Sequence, residues 1–133
     1  MTRLLPIRAL AAAAAFALAA SGAAAQDGPS ALAAEVAEAA RQLSARLPMQ
    51  ADEITTAVGI RADGAEFVYD MQISQALPAD RIEQIRQSAQ SLNQSRMCDN
   101  AEVAPFIRRG GSMRHIYVDT AGHRFETRVS HCP

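Results

Sequence analysis

The stretch DEITTAVGIRADGAEFVYDMQIS, residues 52–74, carries the pattern from which the fold follows. Apolar and polar residues alternate on both sides of Ala62-Asp63-Gly64-Ala65, and a period of two flanking an Asp-Gly pair is a strong hairpin signal. Ile54, Thr56, Val58 and Ile60 are expected on one face of the first strand, and Phe67, Tyr69, Met71 and Ile73 on one face of the second. Thr55, Arg61, Glu66, Asp70 and Gln72 fall opposite, so one side of the sheet is expected to meet water.

Upstream, the period changes. Leu32, Val36, Ala39, Leu43 and Leu47 recur at steps of four and three, one apolar stripe of an α-helix that begins near Pro29 and stops at Pro48. Downstream, Ile82, Ile85, Ala89, Leu92 and Met97 trace a second stripe between Pro78 and Cys98. Its other side, including Gln87, Gln90, Ser91 and Gln94, is expected to be a solvated polar surface. A short helical turn through AEVAPFIRR is closed by Gly110 and Gly111.

A second hairpin follows. SMRHIYV and HRFETRVSHC flank DTAG, where Gly122 suits a left-handed position. With Asp119 opposite His123, Tyr117 pairs with Phe125, His115 with Thr127, and Met113 with Val129. The order α-β-β-α-β-β predicts a two-layer α+β sandwich: an antiparallel four-stranded sheet, helices on one face, one disulfide.

The N-terminus supplies an address. Arg3 and Arg8 precede the apolar run Ala9 to Ala20, and Ala23 and Ala25 offer a signal-peptidase site. Residues 1–25 are therefore expected to be a cleaved signal peptide and 26–133 a single periplasmic or secreted domain. The apolar run is shorter than the ~20 residues of a membrane span, and no cysteine stands near the cut site, so no membrane attachment is expected after cleavage. The chain has no lysine, and its acidic residues outnumber its arginines; this balance argues against a nucleic-acid partner, which demands a basic face.

Cys98 and Cys132 are the only cysteines. Export places them where a small, even number of cysteines is normally paired. Closing the loop between them is worth about 3–4 kcal/mol on the chain-entropy account. A redox-active or intermolecular cysteine is a second reading. Metal binding by His131 and Cys132 is a third, for which the sequence offers no further ligands. No metal and no cofactor are expected.

The histidines are His115, His123 and His131. On the predicted register His115 and His131 point to the core side and His123 sits in the turn, so they do not converge. Ser112 lacks a nucleophile elbow. Arg108 and Arg109 before Gly110 and Gly111 answer a helix C-terminus or, alternatively, hold an anion. The wet face of the last hairpin gathers Arg114, Ile116, Val118, Arg124, Glu126 and Arg128, a mixed arginine and apolar surface suited to a protein or cell-envelope partner. Arg114 opposite Arg128 sets two like charges across the strands, to be offset by Glu126, Glu66 or Asp70.

Several of these residues together, Leu47, Pro48, Asp52, Glu53, Thr55, Tyr69, Cys98, Tyr117, Asp119, Gly122 and Cys132, form a pattern that resembles a family of small secreted bacterial proteins without an assigned activity. The resemblance implies the fold and the address and no catalytic residues. The chain is expected to be a non-enzymatic binding or accessory protein. The alternatives are a small periplasmic hydrolase or metal-dependent enzyme using His115 or His123, and an accessory of a secretion or cell-envelope assembly.

Overall fold

A computed structural model describes residues 29–133; the leader expected at 1–25 lies outside the described residues. The elements in chain order are α1 (Pro29–Ser44), β1 (Met49–Gln50), β2 (Thr55–Asp63), β3 (Glu66–Ile73), a 3₁₀ turn (Ala79–Arg81), α2 (Ile82–Asp99), α3 (Val103–Arg108), β4 (Ser112–Val118) and β5 (Arg124–Val129). The architecture is α+β.

The sheet has five strands in the order β1-β2-β3-β4-β5, and it is mixed. This corrects the expected antiparallel four-stranded sheet in two ways. The two-residue β1 adds an edge strand, pairing Met49 with Ala57 and Gln50 with Thr56. The hairpins join through β3 and β4, which run parallel. Alternation within each hairpin carries no information about the join; α2 and α3 form the crossover that a parallel pair requires.

The β4–β5 register is the expected one, with Met113, His115 and Tyr117 opposite Val129, Thr127 and Phe125. Gly122 turns the hairpin at φ +87°. The β2 register is not as expected. A bulge shifts pairing between Ala57 and Gly59, so Thr55, Ala57 and Ile60 become the buried residues and Val58 is left 39% exposed. One unpaired residue reverses which parity faces the core.

Both long helices cover the same face. Leu32, Val36 and Ala40 bury the stripe of α1, which lies over β2 and β3, while α2 runs along β5. The main core gathers Ala57, Met71, Ile73, Tyr117 and Phe125 beneath Ile82, Ile85 and Ala89. A smaller core of Ala104, Ile107, Val129 and Cys132 sits under α3. The stripe of α2 departs from expectation near its middle. Leu92 is 49% exposed, and Asn93 takes the buried place, donating to the Tyr117 hydroxyl and to Thr127 Oγ1, both at 2.9 Å.

Cys98 and Cys132 form the disulfide across a separation of 34 residues, with Cα atoms 5.4 Å apart. It ties the last turn of α2 to the segment after β5. Gly111 makes the entry to β4 possible: a Cβ there would stand 2.2 Å from Cζ of Phe106, whose ring packs edge-on against Phe67.

Candidate functional site

All six residues of the expected wet face lie on the side of the sheet that no helix covers, because β4 and β5 alternate as the register requires. The charged half is satisfied from within. Glu66, nearly buried, accepts from Ser112 Oγ at 2.7 Å and from Arg128 Nε at 2.6 Å. Its second oxygen lies 3.2 Å from Arg114 Nε. Arg114 and Arg128 do stand opposite one another, and Glu66 is the main group that offsets the repulsion. Glu126 takes Arg124 at 2.5 Å, while Asp70 pairs with Arg61 at 2.6 Å.

The remaining half is apolar. Ile116 is buried, Val118 is 39% exposed, and together with Pro48, Thr56, Val58 and Gln72 they line an open trough of about 830 Å³.

The histidines occupy three different settings. His123 Nδ1 lies 2.8 Å from Asp119 Oδ2, the imidazole–carboxylate pairing that an enzyme reading asks for. Asp119, however, also accepts from the backbone amides of Leu77 at 2.7 Å, Ala121 at 3.0 Å and His123 at 2.7 Å. Burial works against its charge, but the bonds from Leu77 and His123 outweigh it and hold the carboxyl well below its usual range. This carboxylate is a clamp that ties the β4–β5 turn to the loop leading into α2. His131 is exposed, and its carbonyl accepts from Gln94.

His115 is buried and stacks on Tyr69, with ring centroids 4.9 Å apart. Burial lowers its pKa to about 4. Ser112 and His115 project from opposite faces of β4, so they do not act as a nucleophile and base. Among the described residues no cluster of three or more His, Cys, Asp or Glu side chains could hold a metal. Arg108 donates to the Pro133 carbonyl at 2.8 Å, and Arg109 pairs with Glu35 of α1 at 2.8 Å.

A concave surface that the periodicities did not reveal lies on the helix side. Phe67, Tyr69, His115, Tyr117 and Phe125 form a row of neighbouring rings across β3, β4 and β5. Above it are two depressions. One, of about 340 Å³, is bounded by Val36, Ala39 and Leu43 of α1 and by Val103 and Phe106 of α3, over Phe67 and Tyr69. The other, of about 270 Å³, lies under Leu92, Asn93 and Met97 of α2, over Met71, His115 and Tyr117. The first stands over Phe67 and Tyr69 and the second over Met71 and Ile73, successive stretches of β3, and with no lining residue in common they make an interrupted channel with an aromatic floor. Sequence alternation assigns this entire face to the core; the gap depends on where the two helices settle.

The polar side of α2 also differs from expectation. Gln90 and Gln94 bond the backbone of the β5 segment at Arg128 and His131 and are not a solvated surface. Their spacing of four, one helical turn, was the available signal.

No helix among the described residues is long and apolar enough to cross a membrane. No family model matches the chain and no curated protein sequence matches it. Its fold is similar to that of EpsS, the pilotin of the Vibrio vulnificus type 2 secretion system, at TM-score 0.64 and 19% identity over 77% of this chain and 90% of that one. It is similar to AspS, the type II secretion system pilotin of Vibrio cholerae, at TM-score 0.59 and 23% identity over 77% and 91%. A proposed secreted protein of Pseudomonas aeruginosa shares the fold at TM-score 0.62 and 17% identity over 73% and 87%.

Proposed function

We propose that this protein is a non-enzymatic accessory factor of a type II secretion or related cell-envelope assembly, acting by binding an apolar segment of another protein in the channel between its helices. The observation that carries this reading is a fold shared over about nine-tenths of two type II secretion pilotins. The channel fits the task. Binding sites are concave, largely apolar and supplied with a few polar groups, and Leu92, half exposed on its rim, is ready to be covered. The leader expected at residues 1–25 and the Cys98–Cys132 bond suit an oxidising compartment beyond the cytoplasm, and residues 26–133 then form the mature domain.

A second reading places the partner on the open sheet face, at Arg114, Ile116, Val118, Arg124, Glu126 and Arg128. It is favoured by the exposure of Val58 and Val118, 39% each, in the trough beside them.

Affinity capture from an envelope extract of the producing cell, with wild type, Leu92→Glu and Val118→Arg as baits, tests both. Wild type is expected to retain a component of a secretion assembly, Leu92→Glu to lose it, and Val118→Arg to keep it. Loss only in Val118→Arg moves the site to the open face. Capture of no secretion component by any bait overturns the function.

A further inference from the structure

Three rings border the depression of about 340 Å³ between α1 and α3. Phe67, Tyr69 and Phe106 are each only half-buried, so part of every ring stays open to what enters. Phe106 meets Phe67 edge-on with centroids 5.5 Å apart, and Phe67 lies 6.3 Å from Tyr69. Leu43 of α1, Val103 of α3 and Met113 of β4 complete apolar walls. Aromatic faces are electrically negative, so a concavity built from them attracts a cation as well as an apolar group.

The charge at its rim has the matching sign. Glu35 and Glu102, both exposed, are the charged residues that line it. Arg109 answers Glu35 at 2.8 Å but does not line the depression. The backbone N–H of Glu102 donates to Asn100 Oδ1 at 2.9 Å, which fixes where this residue leaves the chain. Its carboxylate has no ion-pair partner among the described residues. An anion would be repelled here, and a purely apolar side chain would leave that carboxylate unmatched.

An arginine side chain meets both demands. Its methylene stem lies along apolar walls while its charged head stays at the rim. The guanidinium is planar and weakly hydrated and stacks on aromatic faces, whereas an ammonium holds its water more strongly. An apolar cavity of roughly 150 Å³ holds benzene, so this one has room for the stem and the head.

We propose that this depression receives an arginine side chain of the bound protein segment, its guanidinium over the rings and against Glu102. This rests on the channel being the seat of that segment. The segment is then apolar with one arginine, and Glu102 selects for the charge.

Two probes test the pocket without the partner. Butylguanidinium carries the arginine head on an apolar stem, and butylurea is its neutral counterpart of the same shape. Each is titrated into the oxidised protein and followed by the NMR shift of the Met113 methyl, which reports on this depression. Butylguanidinium is expected to bind about fivefold more tightly than butylurea. Glu102→Gln is expected to weaken butylguanidinium about threefold and to leave butylurea unchanged. Equal affinities in wild type overturn the proposal, and that comparison needs no variant. A full preference for the cation in Glu102→Gln overturns it too, as does an unmoved Met113 methyl at tens of millimolar butylguanidinium. No partner protein enters the titration, so its failure leaves the capture result standing, and a failed capture leaves the pocket chemistry intact.

Discussion

The side-chain amide of Gln90 pairs with both backbone groups of Arg128, accepting from its N–H at 2.8 Å and donating to its carbonyl at 2.7 Å. Arg128 lies on the outer strand β5, and its N–H and C=O point away from β4. Gln90 thus occupies the place that another strand would take. One turn later, Gln94 donates to the His131 carbonyl at 2.6 Å. An open sheet edge is a template for unwanted pairing, and α2 covers this one with two amide side chains.

Gln90→Ala is expected to lose both bonds and about 1–2 kcal/mol of stability. The Arg128 amide should then exchange with solvent markedly faster. Gln90→Glu keeps an acceptor but sets a carboxylate against the Arg128 carbonyl, so it should not restore wild-type stability. Hydrogen exchange resolved at Arg128 checks this; an unchanged rate in Gln90→Ala would show that the pair protects nothing.

The disulfide joins two elements that the smaller core already brings together, since Met97, Cys98, Val103 and Phe106 pack on Val129 and Cys132. Its contribution is therefore expected to lie mainly in the unfolded chain. Cys98→Ser with Cys132→Ser should retain the fold and lose about 3–4 kcal/mol. Urea denaturation of the double variant, beside reduced and oxidised wild type, measures this, and matching midpoints for all three would refute it.

Gly111 and Phe106 test a steric requirement. A methyl at 111 would overlap the Phe106 ring, whose nearest atoms would lie 2.2 to 2.6 Å away, and the ring is held by its contact with Phe67. Gly111→Ala should cost about 1–3 kcal/mol. In a Phe106→Leu background the added cost should fall sharply. A double-mutant cycle by thermal denaturation reads the coupling, and additive effects would mean that the ring moves aside freely.

Local features of this fold were legible where one residue pattern maps to one element. Leu32 and Val36 announce α1, and the Asp119–His123 turn sets the whole β4–β5 register. Features decided by relations between elements were not. Nothing in Glu66 to Ile73 or in Ser112 to Val118 states that these strands run parallel. The bulge at Val58 reverses a face, and the signal for it was the neighbouring Gly59, a glycine inside a strand pattern where a Cβ would stand 2.6 Å from Asp70 Oδ2. Of the expected binding face, the location of all six residues was legible. The pairing of Arg114 and Arg128 through Glu66 was legible only as one of three candidate partners, because choosing among them required the β3–β4 register. The channel was invisible for the same reason: Tyr69 and His115 look like core until the helices are placed.

His115 also makes a prediction about acid. Burial lowers its pKa from an ordinary 6.5 to about 4, so between those values the unfolded chain binds a proton that the folded chain refuses. Stability from this group is complete above pH 6.5 and falls as the pH drops toward 4, by about 3 kcal/mol across the window. Of the rings nearest it, Tyr69 and Tyr117, burial raises the Tyr69 pKa further above this range, and of the charged residues sharing its cavity, Asp52 and Arg96, neither contributes to the shift of the imidazole. Asp119 acts lower: its depressed carboxyl withholds a proton that unfolded aspartate takes up near pH 4, so its contribution is complete above that and lost only below it. His115→Phe should therefore flatten the stability profile between pH 6.5 and 4 and leave the steeper loss below pH 4 in place. Chemical denaturation at half-unit pH steps distinguishes the two groups. A variant whose slope between pH 4 and 6.5 matches wild type would show that burial does not keep His115 neutral in the folded protein.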